Sequence, residues 1–177
     1  MAPSTGILTL TPLSTRARFA LGAAAPAALL GFGYYLQYFQ GQDPCPLCHV
    51  QRAFFYAVGA VFLVAALHAP GRAGQIVYSL LGLLAALGGG GVAVRHVWLQ
   101  HLPPDQVPAC GPDLFFMLEN FPLGRTLQKL FEGSGQCAEV KWRFLGLSIP
   151  EWSLACFSAL AAYAVWLMLR AARRKDA

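Results

Sequence analysis

The sequence predicts an all-α membrane protein, a four-transmembrane-helix bundle with two outer loops, of which the second is long and partly interfacial. Of its 177 residues, 56% are hydrophobic and only 12% are charged, whereas soluble domains average about 25% charged residues. Four apolar segments also approach the roughly 20 residues that a helix needs to cross a bilayer. The composition therefore excludes an ordinary soluble domain, and we expect residues 1–177 to form a single integral-membrane domain.

The predicted spans are residues 19–39, 50–69, 76–94 and 152–169, with loops at 40–50 and 95–151. The first span ends in several aromatic residues, including Tyr34 and Tyr38, and Tyr is typical of the membrane–water boundary. Its apolar run is longer than the core of a cleaved signal peptide, so we expect it to remain as a helix. The third span carries four consecutive glycines, 88–91, and small residues let transmembrane helices pack closely.

The basic residues predict that both termini are cytoplasmic. Four spans place both termini on one side, which carries Arg16, Arg18, Arg72, Arg170, Arg173, Arg174 and Lys175. The other side carries Arg52, Arg95, Arg125, Lys129, Lys141 and Arg143, the last four of which are spread through the long loop. Short basic segments determine topology better than long loops do. The net charge of +5 is therefore a topology signal rather than a nucleic-acid patch.

Four of the five cysteines fall on the non-cytoplasmic side of this topology. Cys45 and Cys48 lie in the first outer loop, and Cys110 and Cys137 lie in the second. In a bacterium that side is the periplasm, where disulfides form and persist. Cys156 is inside the fourth predicted span, where we expect a small buried apolar residue.

The string CPLCH, residues 45–49, has two chemical interpretations. C-x-x-C is the spacing of redox-active dithiols, and C-x-x-C-H is the attachment motif of c-type haem. Haem would leave Cys110 and Cys137 without a role, and a short loop between two spans hardly encloses a covalent haem. The redox dithiol is therefore the favoured interpretation.

The residues around the motif predict its local geometry. Pro46 pushes Cys45 away from helical angles and is itself suited to the first turn of a helix. The second span can then begin within the motif, with Cys48 in its first turn, where the helix dipole favours a thiolate. Arg52 lies four residues further on, which is the same helix face, and its charge would favour an anion formed nearby. A polar boundary residue is the simpler interpretation of His49, and a role in the motif stays open.

Cys110 and Cys137 have two interpretations that their spacing leaves open. A structural disulfide between them would stabilise the loop by about 3–4 kcal/mol in the chain-entropy model. A redox pair would exchange with the first pair. Zinc held by the four cysteines is not favoured, because structural zinc sites usually come as two tight pairs, and we expect no metal.

Arg95 and His96 are predicted to close the third span on the outer side. His96 could donate a hydrogen bond to a carbonyl oxygen of a redox lipid, although an interfacial histidine is an equally simple interpretation. The segments 114–124 and 142–152 mix aromatic, apolar and charged residues. Such segments tend to lie in the membrane interface, which would keep the loop cysteines near the membrane surface.

These motifs together resemble the DsbB family, the bacterial inner-membrane disulfide bond formation proteins. CPLCHVQR, residues 45–52, is similar to the family's C-x-x-C followed four residues later by Arg. RHVWLQ, residues 95–100, and GQCAEVKWRFLGLSIPEW, residues 135–152, are similar to the end of its third span and to the segment around its last loop cysteine. The resemblance covers most of the chain.

The resemblance implies a quinone-dependent thiol oxidase in the bacterial inner membrane. A reduced DsbA-like periplasmic thiol oxidase would attack a Cys110–Cys137 disulfide and form a mixed disulfide with Cys110. The Cys45–Cys48 pair would reoxidise the loop pair and pass the electrons to ubiquinone or menaquinone, with Cys48 nearest the ring. By resemblance, Arg52 and His96 contact the quinone. Three alternatives stay open: a non-enzymatic membrane subunit braced by disulfides, a relative that serves a dedicated partner and, least favoured, a c-type haem membrane protein that uses CPLCH.

Overall fold

Four long helices dominate the computed structural model, which describes residues 14–103, 105–107, 114–140 and 142–173. They are α1 (Thr15–Gln40), α2 (Pro46–His68), α3 (Arg72–Gln100) and α7 (Ile149–Arg173). Between α3 and α7 lie α4 (Leu114–Asn120), α5 (Leu123–Glu132), α6 (Gly135–Ala138), β1 (Arg143–Phe144) and β2 (Leu147–Ser148). Each of the four long helices is long and apolar enough to cross a membrane, which confirms the predicted helical membrane architecture.

The helices pack around a core of aromatic side chains and small residues. Helix α3 packs against α2 and α7, while α1 packs against α2. Phe55 of α2 stacks on Phe157 of α7, with ring centroids 4.0 Å apart and an angle of 10° between the rings. A Cβ on Gly89 would collide with the ring of Phe157, and a Cβ on Gly82 would collide with the ring of Phe62. The glycines of α3 therefore permit close helix packing, as the sequence predicts.

The turn between α1 and α2 delivers the C-x-x-C motif to the end of the bundle. Gly41 terminates α1 in the left-handed conformation, with φ of 64°, which glycine adopts without strain. Cys45 is the N-cap of α2 and is extended, with φ of −69° and ψ of 166°, and Pro46 occupies the first turn. The predicted conformation of the motif is confirmed.

Helix α3 and the second outer region differ from the prediction. The third span was predicted to end at residue 94, yet α3 continues to Gln100, so Arg95 and His96 lie inside the helix. The segment RHVWLQ contains neither Gly nor Pro, and the first proline comes only at Pro103. Helix α3 therefore extends beyond the end of the apolar segment, since polar residues are compatible with a helix that emerges from a membrane.

The region before α7 contains an antiparallel hairpin in which Arg143 pairs with Ser148 and Phe144 with Leu147. Leu145 and Gly146 form its turn with positive φ values of 51° and 83°. The indole Nε1 of Trp152 donates a hydrogen bond of 3.0 Å to the carbonyl oxygen of Phe144. The hairpin is thereby fixed against the start of α7.

The opposite end of the bundle gathers the basic residues that predict topology. The guanidinium of Arg72, at the start of α3, donates to the carbonyl oxygen of Ala172 near the end of α7 at 3.0 Å. The hydroxyl of Tyr163 in α7 donates to the carbonyl oxygen of Arg18 in α1 at 2.9 Å. The first turns of α1 and α3 therefore both contact the C-terminal half of α7, at the end away from Cys45.

Candidate active site

Two cysteines of the C-x-x-C motif face each other at the start of α2. The Sγ atoms of Cys45 and Cys48 are 3.1 Å apart. Cys45 is buried and Cys48 is half-buried. Both are free thiols, as are the other described cysteines, Cys137 and Cys156. This spacing requires only a small movement to form a disulfide, so the pair is suited to cycling between dithiol and disulfide.

A third sulfur reaches this pair from the second outer region. Cys137, in α6, is 1% exposed and packs in one buried cluster with Cys45, against which Cys48 also lies. Ser134 holds Cys137 in place, with its Oγ 3.6 Å from the Cys137 Sγ. The structure therefore brings together cysteines from both outer loops. The fourth predicted site cysteine, Cys110, lies outside the described residues.

The local electrostatics divide the roles of Cys45 and Cys137. The Cys45 thiol, which donates a hydrogen bond, is the largest cause that lowers the pKa of Cys137 to about 6. The backbone N–H of Leu47 and the Ser134 hydroxyl act in the same direction, while burial opposes them. The same hydrogen bond to Cys137 raises the pKa of Cys45, and the neighbouring Cys48 and burial raise it further. Negative charge therefore resides on Cys137, and Cys45 keeps its proton.

His96 projects from α3 into the cysteine cluster and is only 2% exposed. Its Nε2 lies 3.1 Å from the carbonyl oxygen of Cys137 and 3.6 Å from the Sγ of Cys45. Because a carbonyl oxygen can only accept, Nε2 must carry a proton. On the other side of the ring, the amide nitrogen of Gln51 lies 3.1 Å from Nδ1. Both contacts agree with one neutral tautomer, in which Gln51 donates to Nδ1 and Nε2 donates to Cys137.

Arg52 lines the same cavity as Cys48, and α1 fixes its guanidinium. One nitrogen donates to the side-chain oxygen of Gln37, and another donates to the carbonyl oxygen of Gly33 at 3.1 Å. The guanidinium also lies over the ring of Tyr34, 4.7 Å from its centroid. The sequence predicted the charge of Arg52 one helical turn from Cys48, and the structure shows which partners orient its guanidinium.

A cavity of about 490 Å³ opens beside these side chains. Polar groups line one part of it, including Cys45, Cys48, Arg52 and His96, and most of the remaining wall is apolar, including Trp142 and Phe144. Large apolar cavities with a few polar groups are typical of cofactor sites. The buried Oε1 of Gln42, which also lines the cavity, has no hydrogen-bond partner among the described residues.

These features fit a quinone ring. The apolar wall suits a quinone ring and its isoprenoid tail. The Nε2–H of His96 can donate to a carbonyl oxygen of the ring, and the side-chain oxygen of Gln42 can accept a hydrogen bond from a ring hydroxyl. The Sγ of Cys48 is on the same wall. The residues present therefore match a group that alternates between carbonyl and hydroxyl oxygens.

Cys156 is half-buried rather than fully buried. It packs against the core of the helix bundle and also lines the cavity. Sequence reasoning also missed Gln51, Ser134 and Gln37. Gln51 carried a usable signal, since a polar residue inside an apolar helix three positions from Cys48 shares its face. Ser134 lies only three residues before its partner Cys137, which is a local signal, whereas Gln37 carried none, because its partner Arg52 is on another helix.

The sulfur and nitrogen atoms of the cluster have metal-ligand chemistry as well. The donor atoms of Cys45, Cys48 and His96 all lie within 4.8 Å of one another. Thiolate and imidazole donors suit zinc and other thiophilic ions. The sequence argument against zinc concerned a four-cysteine site, and this donor set is a different one.

Comparison with known proteins identifies the family. The family model described as "Disulfide bond formation protein DsbB" matches residues 15–167. A protein named "Disulfide bond formation protein B" from Nitrosococcus oceani is 53% identical over 158 residues, covering 89% of this chain and 94% of that protein.

Proteins with the same name come from other bacteria. That of Methylococcus capsulatus is 51% identical, covering 86% of this chain and 93% of its own length. That of Chromobacterium violaceum is 48% identical, covering 91% of this chain and 97% of its own length. With the three clustered cysteines, these matches support a disulfide oxidoreductase role for a multi-pass membrane protein. The chain belongs to the DsbB family of disulfide bond formation proteins.

Proposed function

We propose that this protein is a quinone-dependent thiol oxidase. It takes electrons from the dithiol of a periplasmic DsbA-like oxidase and passes them to a membrane quinone, either ubiquinone or menaquinone. The observation that carries the proposal is the packing of Cys137 in one buried cluster with Cys45 and Cys48, the last two of which line an apolar cavity. A bracing role for the cysteines would not require three free thiols and a histidine to converge there.

The contacts support a thiol–disulfide exchange from Cys137 to Cys45. In the oxidised enzyme, the Cys137 thiolate attacks the Sγ of Cys45 in the Cys45–Cys48 disulfide. A Cys137–Cys45 bond forms, the Cys45–Cys48 bond breaks, and Cys48 leaves with the electron pair as a thiolate. Attack requires the thiolate form. A disulfide-bonded Cys45 has no thiol proton to donate, but the backbone N–H of Leu47 and the Ser134 hydroxyl, which also lower the pKa of Cys137, remain in this state. The leaving sulfur lies in the first turn of α2, where the helix dipole favours negative charge.

The electrons enter through the loop pair in this scheme. A thiolate of the DsbA-like partner attacks the Cys110–Cys137 disulfide at Cys110, and Cys137 leaves as a thiolate. The second thiol of the partner then attacks the mixed disulfide, so the partner leaves oxidised and Cys110 is reduced. Cys110 finally attacks the Cys137–Cys45 bond at Cys137, which restores the loop disulfide and leaves Cys45 and Cys48 reduced.

The cavity residues support electron exit to a quinone. When bound, the quinone supplies the two-electron acceptor that no side chain can supply. The Nε2–H of His96, which donates to the carbonyl oxygen of Cys137, would exchange that bond for one to a ring carbonyl oxygen, and Arg52 would provide a fixed positive charge for a reduced oxygen. The apolar wall excludes water and thereby strengthens both interactions.

The distribution of charge supports the orientation in the bacterial inner membrane. Arg18 and Arg72 lie at the end of the bundle opposite Cys45, and short basic segments favour the cytoplasmic side. Both termini would then be cytoplasmic, and the cysteine cluster would face the periplasm. A soluble periplasmic dithiol could reach it there.

The test measures oxidation of a reduced DsbA-like protein by the detergent-purified chain with excess quinone. Cys45→Ser, Cys48→Ser and Cys137→Ser should each abolish turnover, because each removes a sulfur from the relay. Ala53→Ser places the same side chain at an exposed position of α2, outside the cavity, and should leave turnover unchanged. Turnover of Cys48→Ser at the normal rate would overturn the proposal.

A further inference from the structure

We propose that the fully reduced enzyme captures one thiophilic d¹⁰ metal ion, Zn²⁺ or Cd²⁺, in a site formed by Cys45, Cys48, Cys137 and His96. Capture would block reoxidation of the enzyme. The site requires only that the thiols be reduced, so it goes beyond the proposed relay and does not depend on the identity of the electron donor.

The donor atoms of Cys45, Cys48 and His96 already lie near tetrahedral spacing, all within 4.8 Å of one another. Ideal bond lengths of roughly 2.3 Å for Zn–S and 2.05 Å for Zn–N imply S···S edges of about 3.8 Å and S···N edges of about 3.6 Å. The Sγ of Cys45 is 3.6 Å from Nε2 of His96, which matches the S···N edge. The Sγ atoms of Cys45 and Cys48 are 3.1 Å apart, so rotation about a side-chain bond must widen them slightly.

Cys137 supplies the fourth donor. It packs in the same buried cluster as Cys45, and its carbonyl oxygen lies 3.1 Å from Nε2 of His96. Rotation of its side chain can therefore bring its sulfur to an ion held by the other three donors. Three cysteines and one histidine form a ligand set of structural zinc sites, which are closed and tetrahedral.

Gln51 can accommodate ligation by His96. Binding of an ion at Nε2 exchanges the hydrogen bond to the Cys137 carbonyl oxygen for a metal bond and moves the ring proton to Nδ1. The amide of Gln51 lies 3.1 Å from Nδ1, and by turning over it can present its oxygen as an acceptor. Such a partner on the second ring nitrogen is the usual outer-shell support of a metal-bound histidine.

The chemistry of capture is a proton exchange and not a redox step. Three thiols and one divalent ion give three metal–thiolate bonds and release three protons, or two where Cys137 is already a thiolate. The complex carries one net negative charge, and Arg52 lines the same cavity. A Cys45–Cys48 disulfide has no thiolate to offer, so the oxidised enzyme is protected.

The binding test uses the full-length protein in detergent, free of metal and reduced with a phosphine, titrated with Cd²⁺. Thiolate-to-cadmium absorbance should rise to one ion per chain, and the oxidised protein should show no rise. Cys156→Ser removes a thiol outside the donor set and should leave uptake unchanged. A reduced wild-type protein that binds no more Cd²⁺ than a Cys45→Ser/Cys48→Ser double variant would overturn the proposal.

Two variants test the donors that C-x-x-C alone does not provide. Cys137→Ser should lower the absorbance per ion from three sulfurs to two, and His96→Gln should retain it. Each should weaken affinity by tenfold or more, on the scale of ligand-shell changes, whereas His68→Gln at the far end of α2 should not. Unchanged affinity in either variant would overturn the four-donor assignment. If the His96→Gln protein loses helical content, Cys137→Ser alone decides the test, because α6 lies outside the four-helix bundle and a substitution there should leave the bundle folded.

A turnover assay tests the consequence, and this assay alone rests on the proposed function. Zn²⁺ should inhibit when quinone is limiting, because the reduced enzyme accumulates, and excess quinone should protect. A chelator should restore the rate. Inhibition that is independent of quinone concentration would contradict capture of the reduced state. A chain that binds Cd²⁺ as described but never turns over would leave the metal site standing and would overturn the relay.

Discussion

The side-chain amide nitrogen of Gln51 lies 3.1 Å from Nδ1 of His96, and both side chains are buried. This contact fixes the proton of His96 on Nε2, which faces Cys137 and the cavity. Gln51 thus determines which ring nitrogen of His96 donates a hydrogen bond.

Replacement of Gln51 tests that dependence. Gln51→Leu removes the donor to Nδ1, and loss of one hydrogen bond of about 1–1.5 kcal/mol should slow quinone reduction on the order of tenfold. In Gln51→Glu, the carboxylate can accept a hydrogen bond from Nδ1–H of a protonated His96, whose Nε2–H can still donate. This variant should therefore recover part of the rate. Gln75→Leu, at a buried glutamine near the other end of the bundle, is the matched control. Equal rates in the two leucine variants would contradict the positioning role.

The pKa of Cys137 predicts the pH at which the loop sulfur becomes reactive. Its pKa is lowered from 9.0 to about 6, so the thiolate fraction of the reduced protein rises as pH increases through 6 and is nearly complete at pH 7. Alkylation of Cys137, mapped by mass spectrometry, should therefore reach half its maximal rate near pH 6. Ser134→Ala removes a donor to the thiolate and should move the midpoint upward. A wild-type midpoint near pH 9 would show that the Cys45 contact does not form.

The anchoring of Arg52 predicts a defect in quinone binding rather than in thiol exchange. Arg52→Lys retains the charge but loses the planar donors that reach Gln37 and Gly33 together. Loss of a charged hydrogen bond, worth about 1.5–3 kcal/mol, should raise the KM for quinone by tenfold or more. Single-turnover oxidation of the dithiol partner without quinone should stay normal. Arg170→Lys, at the opposite end of the bundle, serves as the control, and an unchanged KM in Arg52→Lys would argue against contact with the quinone.

The glycine run of α3 offers a matched pair for packing. A Cβ on Gly89 would collide with the ring of Phe157, whereas nothing lies within 4 Å of a Cβ on Gly91. Overpacking of a core typically destabilises by about 1–3 kcal/mol, so Gly89→Ala should lower the thermal unfolding temperature in detergent. Gly91→Ala should have little effect. Equal unfolding temperatures would mean that α3 and α7 separate easily at this point.

Local sequence rules predicted the fold and one half of the site. Long apolar runs identified the four helices, and Pro46 predicted an extended Cys45 before a helix that carries Cys48. Those features depend on residues adjacent in the chain. The end of α3 was predicted too early, because hydropathy marks where a helix leaves the apolar layer and not where its hydrogen bonding stops.

The other half of the site depends on contacts between distant segments. His96, in α3, contacts Cys45, which precedes α2. Cys137 lies in α6, which is far from both in the sequence. The sequence proposed both residues through family resemblance, but it did not reveal their contact. The contact of Gln37 with Arg52 could not be predicted, because it depends on how α1 packs against α2 and no spacing rule links positions on two separate helices.

The most direct test of the relay is the spectrum of one mixture. Detergent-purified protein, a reduced DsbA-like partner and a soluble quinone analogue are combined, and absorbance is followed from the ultraviolet through the visible. We predict catalytic loss of quinone absorbance, one quinone for each disulfide formed in the partner, with no haem band. A haem band, or partner oxidation without loss of quinone absorbance, would contradict electron transfer from the Cys45–Cys48 pair to a quinone.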